Sequence, residues 1–398
     1  MKLLKFTCLI ASYLVLISVF IGCKEKDSYP SLIDKRTYLF EEIQSHGTLS
    51  TSKAFNKEIQ DSLSMFLDSM QMFLNISSMS VAIGIPDVGV WSAVRQNNDD
   101  ENRIDTNTIF HAESTGKIYT SVLILKLVEQ GVLSLDTSID KWFSYIPKSD
   151  KITIRDLLMH TSGIPSFESC KEYDYTKVYQ PMEKVLWSLK YPFLFEPGTS
   201  FSYSNTGYIL LGLIAEQATG KSFEELLQQN IISPLGLKYT YAITFENKDT
   251  LITLKGHKGG KEIILMEDVT GPSFSGYIAS TPKDQIVFLQ ALMSGRLISK
   301  ESVEDMFNEM NRFPEMKPPA YYGKGIMAMP DIPSNQFPYD LLIEHNGGST
   351  WMGFYSYPLY VPEINMFVSV MTNDYVLYSE SIKYNLANYL IKLLYKIP

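Results

Sequence analysis

The chain has 398 residues, 45% hydrophobic and 13% aromatic, enough to build one large core or two. Its formal charge of −9, with no clustered stripe of Lys and Arg, excludes a nucleic-acid-binding surface, since phosphate recognition needs such a stripe. The plain reading is a globular protein with an acidic, solvated exterior.

At the N-terminus, Lys2 and Lys5 precede an uncharged run from Phe6 to Gly22 that reads as a secretory signal segment, residues 1–22. It closes on Phe20-Ile21-Gly22-Cys23, which resembles the bacterial lipobox, in which the cysteine becomes the acylated first residue. Cys23 is then the expected lipidation site, and the expected location is the cell envelope, periplasmic or on the outer membrane. A transmembrane anchor is the alternative, but the run sits at the short limit of the ~20 residues a span requires. Loss of Lys2 and Lys5 would take the formal charge from −9 to −11, so lipid rather than charge would hold the protein to a membrane. With Cys8 removed and Cys23 acylated, Cys170 is left alone and no intramolecular disulfide is expected.

Residues 23–55 are polar and weakly periodic and read as a tether; 56–398 read as one catalytic domain. Ile59, Leu63, Phe66, Leu67 and Met70 recur at helical spacing, and residues 77–94 read as two strands broken at Pro86 and Asp87. Residues 115–131 are apolar around nearly the whole helical circumference, and Gly131 supplies a stop, so a helix buried on all sides is expected. Residues 130–300 alternate helix and loop, including helices through 206–219 and 283–293. Strands return in 341–374, and a helix through 382–394 closes the chain. Strands at both ends around an inserted, mostly helical region predict an α+β fold, with an antiparallel sheet formed by both termini and flanked by helices.

The pattern Ser-x-x-Lys begins at Ser50, Ser114, Ser138 and Ser280, so the pattern alone selects nothing. Context does. Ser50 lies in the polar tether, Ser138 follows a short loop, and Ser280 has Pro282 inside its pattern. Ser114 alone opens the buried helix, where Lys117 shares its face and the helix N-terminus favours an alkoxide. A lysine among apolar neighbours loses basicity, and a neutral amine could take the serine proton.

These residues resemble the penicillin-binding and serine β-lactamase superfamily in its class C-like branch. FHAESTGK (110–117) resembles the family's active-site helix, LLMHTSGIPSF (157–167) its turn after a short helix, and Tyr203-Ser204-Asn205 its Tyr-x-Asn element. FSGYIASTPKD (274–284) resembles its Gly-rich segment, and His345-Asn346-Gly347 its Lys-Thr-Gly or His-x-Gly strand. Together they span about residues 60–395. The resemblance implies a β-lactamase/transpeptidase-like fold and a serine hydrolase working through an acyl-enzyme, without metal or cofactor. Ser114 is implied as nucleophile, Lys117 as its proton acceptor and Tyr203 as a proton shuttle whose phenolate Lys117 and His345 would stabilise. The oxyanion hole is implied to be the N–H groups of Ser114 and Gly348. Asn205, His345, Asn346 and Gly347 are implied to orient or bind substrate.

Alternatives stay open at this point. Asn205 would by itself read as an N-cap, and His160 reads as a buried residue fixing its turn. His111 and Glu113 stand where the family usually has uncharged residues and have no assigned role. No Gly-x-Ser-x-Gly elbow exists, which argues against an α/β-hydrolase. The sequence Ala218-Thr219-Gly220-Lys221-Ser222 lacks the opening glycine of a phosphate loop and reads as a helix C-terminus. No two histidines stand four apart, so no metal site is implied. The expected partner is a small-molecule or peptide substrate. Because the triplet begins with His345 and no arginine follows Arg312, no cation is evident to clamp a substrate carboxylate. That favours esters or amides, with a D-alanyl-D-alanine carboxypeptidase, a D-aminopeptidase, a weak β-lactamase or a non-catalytic acylated sensor as alternatives.

Overall fold

The computed structural model describes residues 49–50, 52–97, 103–174, 177–263, 274, 276, 278–314, 320–330, 341–376 and 381–395. The expected signal segment 1–22, Cys23 and most of the tether lie outside the described residues. The last part of that tether is packed rather than free: Leu49 and Phe55 are buried, and Ala54 bridges Val90. Apolar side chains at both positions gain more from the core than from solvent. Leu49, Ala54 and Phe55, at the end of the expected tether, thus pack against the fold.

The elements that position the site follow in chain order. Helix α1 spans Lys57–Leu74, capped by the Asn56 side chain. Strands β1 (Ser78–Ile85) and β2 (Gly89–Gln96) form a hairpin that turns through Asp87 in the left-handed region, φ 62°. β3 (Phe110–His111) leads through a tight turn at Glu113–Thr115 into α2 (Gly116–Glu129). Then come α3 (Asn205–Thr219), β4 (Ile278–Ser280) and α4 (Pro282–Met293). β5 (Asn311–Phe313), β6 (Ala320–Tyr322), β7 (Met327–Pro330), β8 (Leu341–Glu344), β9 (Gly347–Gly348), β10 (Tyr355–Val361) and β11 (Met366–Thr372) follow, and α5 (Ser381–Tyr395) ends the described chain.

The main sheet is antiparallel in the order β2-β1-β11-β10-β8-β7-β6-β5, with β9 also paired to β10. Its centre joins the two ends of the sequence, with Val81 opposite Val370, so the expected sheet of both termini is what forms. Alternation along the strands divides the core in two. Val81, Ile83, Val368 and Val370 face the side covered by α1 and α5. Ala82, Phe367 and Met371 face the helical region, where α2 and α3 lie. Helix α2 is buried at eleven of its fourteen positions, and Gly131 follows it with φ 71°. A helix apolar all round has no face to give to water, and here it becomes the post against which the rest of the region packs.

Gly220 caps α3 in the left-handed conformation, φ 69°, as the helix-end reading of that stretch requires. Cys170 is a buried free thiol.

Candidate active site

Ser114 sits in the turn between β3 and α2, held from two sides by close-packed backbone. A Cβ on Gly276 would stand 2.6 Å from the Glu113 carbonyl oxygen, and one on Gly347 would stand 2.2 Å from the Ala112 oxygen and 2.8 Å from the Ser114 nitrogen. Only glycine admits that approach. Thr115 Oγ1 then donates to the His345 carbonyl at 2.9 Å, which ties the serine turn to the strand carrying the His-Asn-Gly triplet.

The i, i+3 spacing delivers what it promised. Lys117 is fully buried, and its Nζ lies 3.1 Å from Ser114 Oγ. Burial pulls its pKa down to about 7, with Glu168 and Glu113 acting in the opposite sense. An appreciable fraction of the amine is therefore neutral at neutral pH and able to accept the serine proton. The Tyr203 hydroxyl hydrogen-bonds the same serine, and Lys117 Nζ stands 4.9 Å from the centre of its ring. Burial pushes the phenol well above its usual range. Tyr203 is thus neutral at pH 7, where the sequence reading expected a phenolate.

His345 does not serve as that expectation required. Its Nδ1–H donates to the Asn346 carbonyl at 3.0 Å, so Nε2 accepts from the Tyr322 hydroxyl at 2.9 Å. Burial and the nearby Lys117 hold it down to about 3. A neutral imidazole turned into the core offers neither positive charge to Tyr203 nor a direct contact to substrate. Asn346 also turns away from the serine: Nδ2 donates to Glu344 at 2.8 Å, and Oδ1 accepts from Lys383 of α5. Gly347 acts through the close approach above, and of the strand residues 345–348 only Gly348 lines the cavity.

That cavity, about 580 Å³, is lined by Glu113, Ser114, Glu168, Tyr203, Asn205 and Gly348 on the polar side, with Phe167, Trp351, Met352 and Tyr355 giving an apolar wall. Among the described residues that line it there is no lysine or arginine. Asn205 is not a cap: Ser204 takes that role by accepting from the Gly207 N–H. This frees Asn205 to donate from Nδ2 to Glu168. His160, with φ 59°, accepts the Ser204 N–H at Nδ1 (3.0 Å) and packs against the Tyr203 and Tyr322 rings. It fixes the turn that places Tyr203, as read from sequence. His111 is buried against Phe354 and held neutral, its pKa lowered to about 3 by burial. Glu168 is the site residue that sequence reasoning missed. Its signal was a lone carboxylate in an otherwise uncharged turn, Ile164-Pro165-Ser166-Phe167-Glu168.

Among the described residues no group of His, Cys, Asp or Glu is arranged to hold a metal ion.

A serine, a lysine and a tyrosine meet at one cavity, between an antiparallel sheet of both termini and a helical region, on a β-lactamase/transpeptidase-like fold. Sequence comparison agrees: the model of the family described as Beta-lactamase matches residues 70–388, and the chain belongs to that family. It is 29% identical over 226 residues to penicillin-binding protein 4* of Bacillus subtilis, covering 52% of this chain and 49% of that one. It is 26% identical over 316 residues to a beta-lactamase of Pseudomonas fluorescens, covering 72% and 85%. The chain spans about half the length of the first of these relatives. The D-amino acid amidase of Ochrobactrum anthropi SV3, solved with L-phenylalanine, superposes with a TM-score of 0.72 over 85% of this chain and 99% of that one, at 23% identity. That likeness is one of fold.

Proposed function

We propose that the protein hydrolyses esters or amides through an acyl-enzyme on Ser114. The observation that carries this reading is the 3.1 Å contact of Lys117 Nζ with Ser114 Oγ, with Tyr203 on the same hydroxyl at the wall of an open cavity. Neutral Lys117 takes the serine proton as Oγ bonds to the substrate carbonyl carbon. The N–H groups of Ser114 and Gly348 receive the oxyanion. Collapse of the intermediate breaks the bond to the leaving amine or alkoxide, which takes a proton relayed through Tyr203. Water then repeats the sequence on the acyl-serine and releases a carboxylic acid.

A substrate carboxylate is poorly served. Among the described residues the cavity lining carries Glu113 and Glu168 and no cation, and Lys383, which reaches the triplet at Asn346, is paired with Glu344. A charge-assisted hydrogen bond is worth about 1.5–3 kcal/mol, so its absence costs about tenfold to a hundredfold in affinity. Neutral esters and amides are favoured over β-lactams and D-alanyl-D-alanine ends. The test is hydrolysis of p-nitrophenyl acetate and butyrate against nitrocefin, together with serine-directed fluorophosphonate labelling. Ser114→Ala is expected to lose both labelling and turnover, and turnover retained in that variant rules out the mechanism.

We also propose a lipid anchor at Cys23, supported by the lipobox-like sequence before it. Acylated protein partitions into detergent, and Cys23→Ser should leave it in the aqueous phase or unprocessed. An unprocessed N-terminus on the wild-type protein rules the anchor out.

A further inference from the structure

Bracing its turn uses one nitrogen of the His160 ring and leaves the other idle. Nδ1 accepts the Ser204 N–H at 3.0 Å, so the proton of the neutral imidazole sits on Nε2. Burial, and then the charge of Lys117, keep the ring neutral, its pKa well below the usual range. The residue is 1% exposed, and Nε2 has no hydrogen-bond partner. A buried donor left unpaired destabilises the folded state. The turn alone does not call for it: asparagine also offers an acceptor and takes readily to the left-handed backbone that His160 adopts, φ 59°.

The surroundings of this idle N–H are aromatic. The rings of Tyr203, Tyr322 and Tyr208 stand 4.3, 4.6 and 5.1 Å from the imidazole, centre to centre. Two of their hydroxyls are committed in the core, Tyr322 to His345 Nε2 and Tyr208 to the Leu158 carbonyl, each at 2.9 Å. The third, on Tyr203, reaches Ser114 and is the one that passes a proton in acyl transfer. Lys117 takes the serine proton as Oγ bonds to the carbonyl carbon. Tyr203 then gives its own proton to the departing alkoxide or amide nitrogen, and the proton held on Lys117 replaces it. Between those two transfers the phenol oxygen is negative, and its charge spreads into the ring. Burial opposes that state. An N–H against an aromatic ring is a weak hydrogen bond, and it strengthens as the ring gains negative charge. A donor idle at rest and engaged only in transit lowers the barrier without tightening ground-state binding.

We propose that His160 is a positioning residue of the proton relay, its buried Nε2–H stabilising the negative charge that crosses Tyr203 while the leaving group is protonated. His160 does not line the cavity, so it acts through Tyr203 and meets no substrate. This rests on the serine-hydrolase reading and deepens it. The leaving groups that need such help are those that cannot depart without a proton, the alkoxides of alkyl esters and the nitrogen of amides, so the relay is built for unactivated bonds.

The test compares two esters of one acid on the full-length protein: ethyl butyrate, whose leaving alkoxide needs the proton, and p-nitrophenyl butyrate, whose phenolate leaves without it. His160→Asn keeps an acceptor for the Ser204 N–H and suits the backbone, but removes the Nε2–H. It should lower kcat/KM for ethyl butyrate by about tenfold to a hundredfold, in the lower range of what a positioned proton-transfer group contributes, with a much smaller loss on p-nitrophenyl butyrate. An equal loss on both esters, or none on either, would overturn the proposal, because a damaged turn does not distinguish leaving groups. A second measurement needs no variant. In nitrogen-15 NMR of histidine-labelled wild-type protein at pH 7, His160 should be the Nε2–H tautomer. The Nδ1–H tautomer or an imidazolium overturns the proposal even where His160→Asn does not fold. Wild-type protein that cleaves neither ester and takes no fluorophosphonate ends the hydrolase reading and this proposal with it, whereas equal loss in the variant leaves that reading standing.

Discussion

At the scale of single residues, the site depends on a lysine stripped of its usual charge. Lys117 is lowered to about 7 because its head group is buried, and Glu168 and Glu113 limit the fall. Below that value it holds its proton and cannot accept another, so acylation should be weak at pH 5.5 and rise through pH 7 toward a plateau. Tyr203, held above its ordinary range, adds no limb in that interval. Removing a carboxylate removes support for the ammonium form. The rising limb should therefore move toward acid in Glu168→Gln, and by less in Glu113→Gln, following the order in which the two groups act on Lys117. The rate of fluorophosphonate labelling from pH 5.5 to 8.5 measures this. A limb that stays in place in both variants would show that these carboxylates do not set the lysine. Lys117→Ala should lose labelling by orders of magnitude at all these pH values while keeping its fold, since what it removes is proton transfer.

At the scale of elements, the strand carrying the triplet is braced from behind. Glu344 ends β8, Lys383 lies in the first turn of α5, and both side chains are fully buried as an ion pair that also engages Asn346 and the Tyr384 hydroxyl. Such a pair adds little net stability against an apolar replacement, but breaking it strands a charge. Lys383→Ala should cost about 3–5 kcal/mol in urea unfolding. A Glu344→Met/Lys383→Met double variant should recover most of that, because no buried charge remains. If the single variant unfolds at the wild-type midpoint, the pair is not the brace it looks to be. Packing makes a second demand on the same strand. Gly347→Ala places a methyl within 2.8 Å of the Ser114 amide, so acylation should fall sharply, with a smaller effect on unfolding.

How much of this was legible in the sequence follows from the range of the interactions. Helix α2 could be read because its all-round apolarity is local, and Ser114 stood out from three rival patterns for the same reason. Ser204 as the cap and Asn205 as a ligand-facing residue could not be told apart, since adjacent residues at a helix start share the same composition signal. The direction of His345 was also out of reach. It depends on Tyr322, whose hydroxyl fixes the ring, and no periodicity links those two strands. The Lys383–Glu344 pair spans 39 positions, and the Glu113–Glu168 approach joins two loops. Leu49 and Phe55 were hidden by the polar residues around them.

At the scale of the whole molecule, the central pairing of the sheet joins β1 to β11, with Met79 opposite Thr372. Contacts of such sequence separation are closed late, because the loop entropy is spent before the contact rewards it. A chain stopped after Asn365 lacks β11 and α5, and should neither react with a fluorophosphonate nor unfold cooperatively. Labelling by that fragment would show that the serine turn assembles without its strand. The same topology has a consequence for synthesis. Ser114 leaves the ribosome more than two hundred residues before Gly347 and Gly348, the residues it packs against and shares its cavity with. Until they arrive, its hydroxyl is an ordinary alcohol, and the β1–β2 hairpin presents an open edge with Val81 and Ile83 uncovered. Nascent chains are thus harmless as acyl acceptors and vulnerable as aggregators, and the interval ends only when the last strand docks.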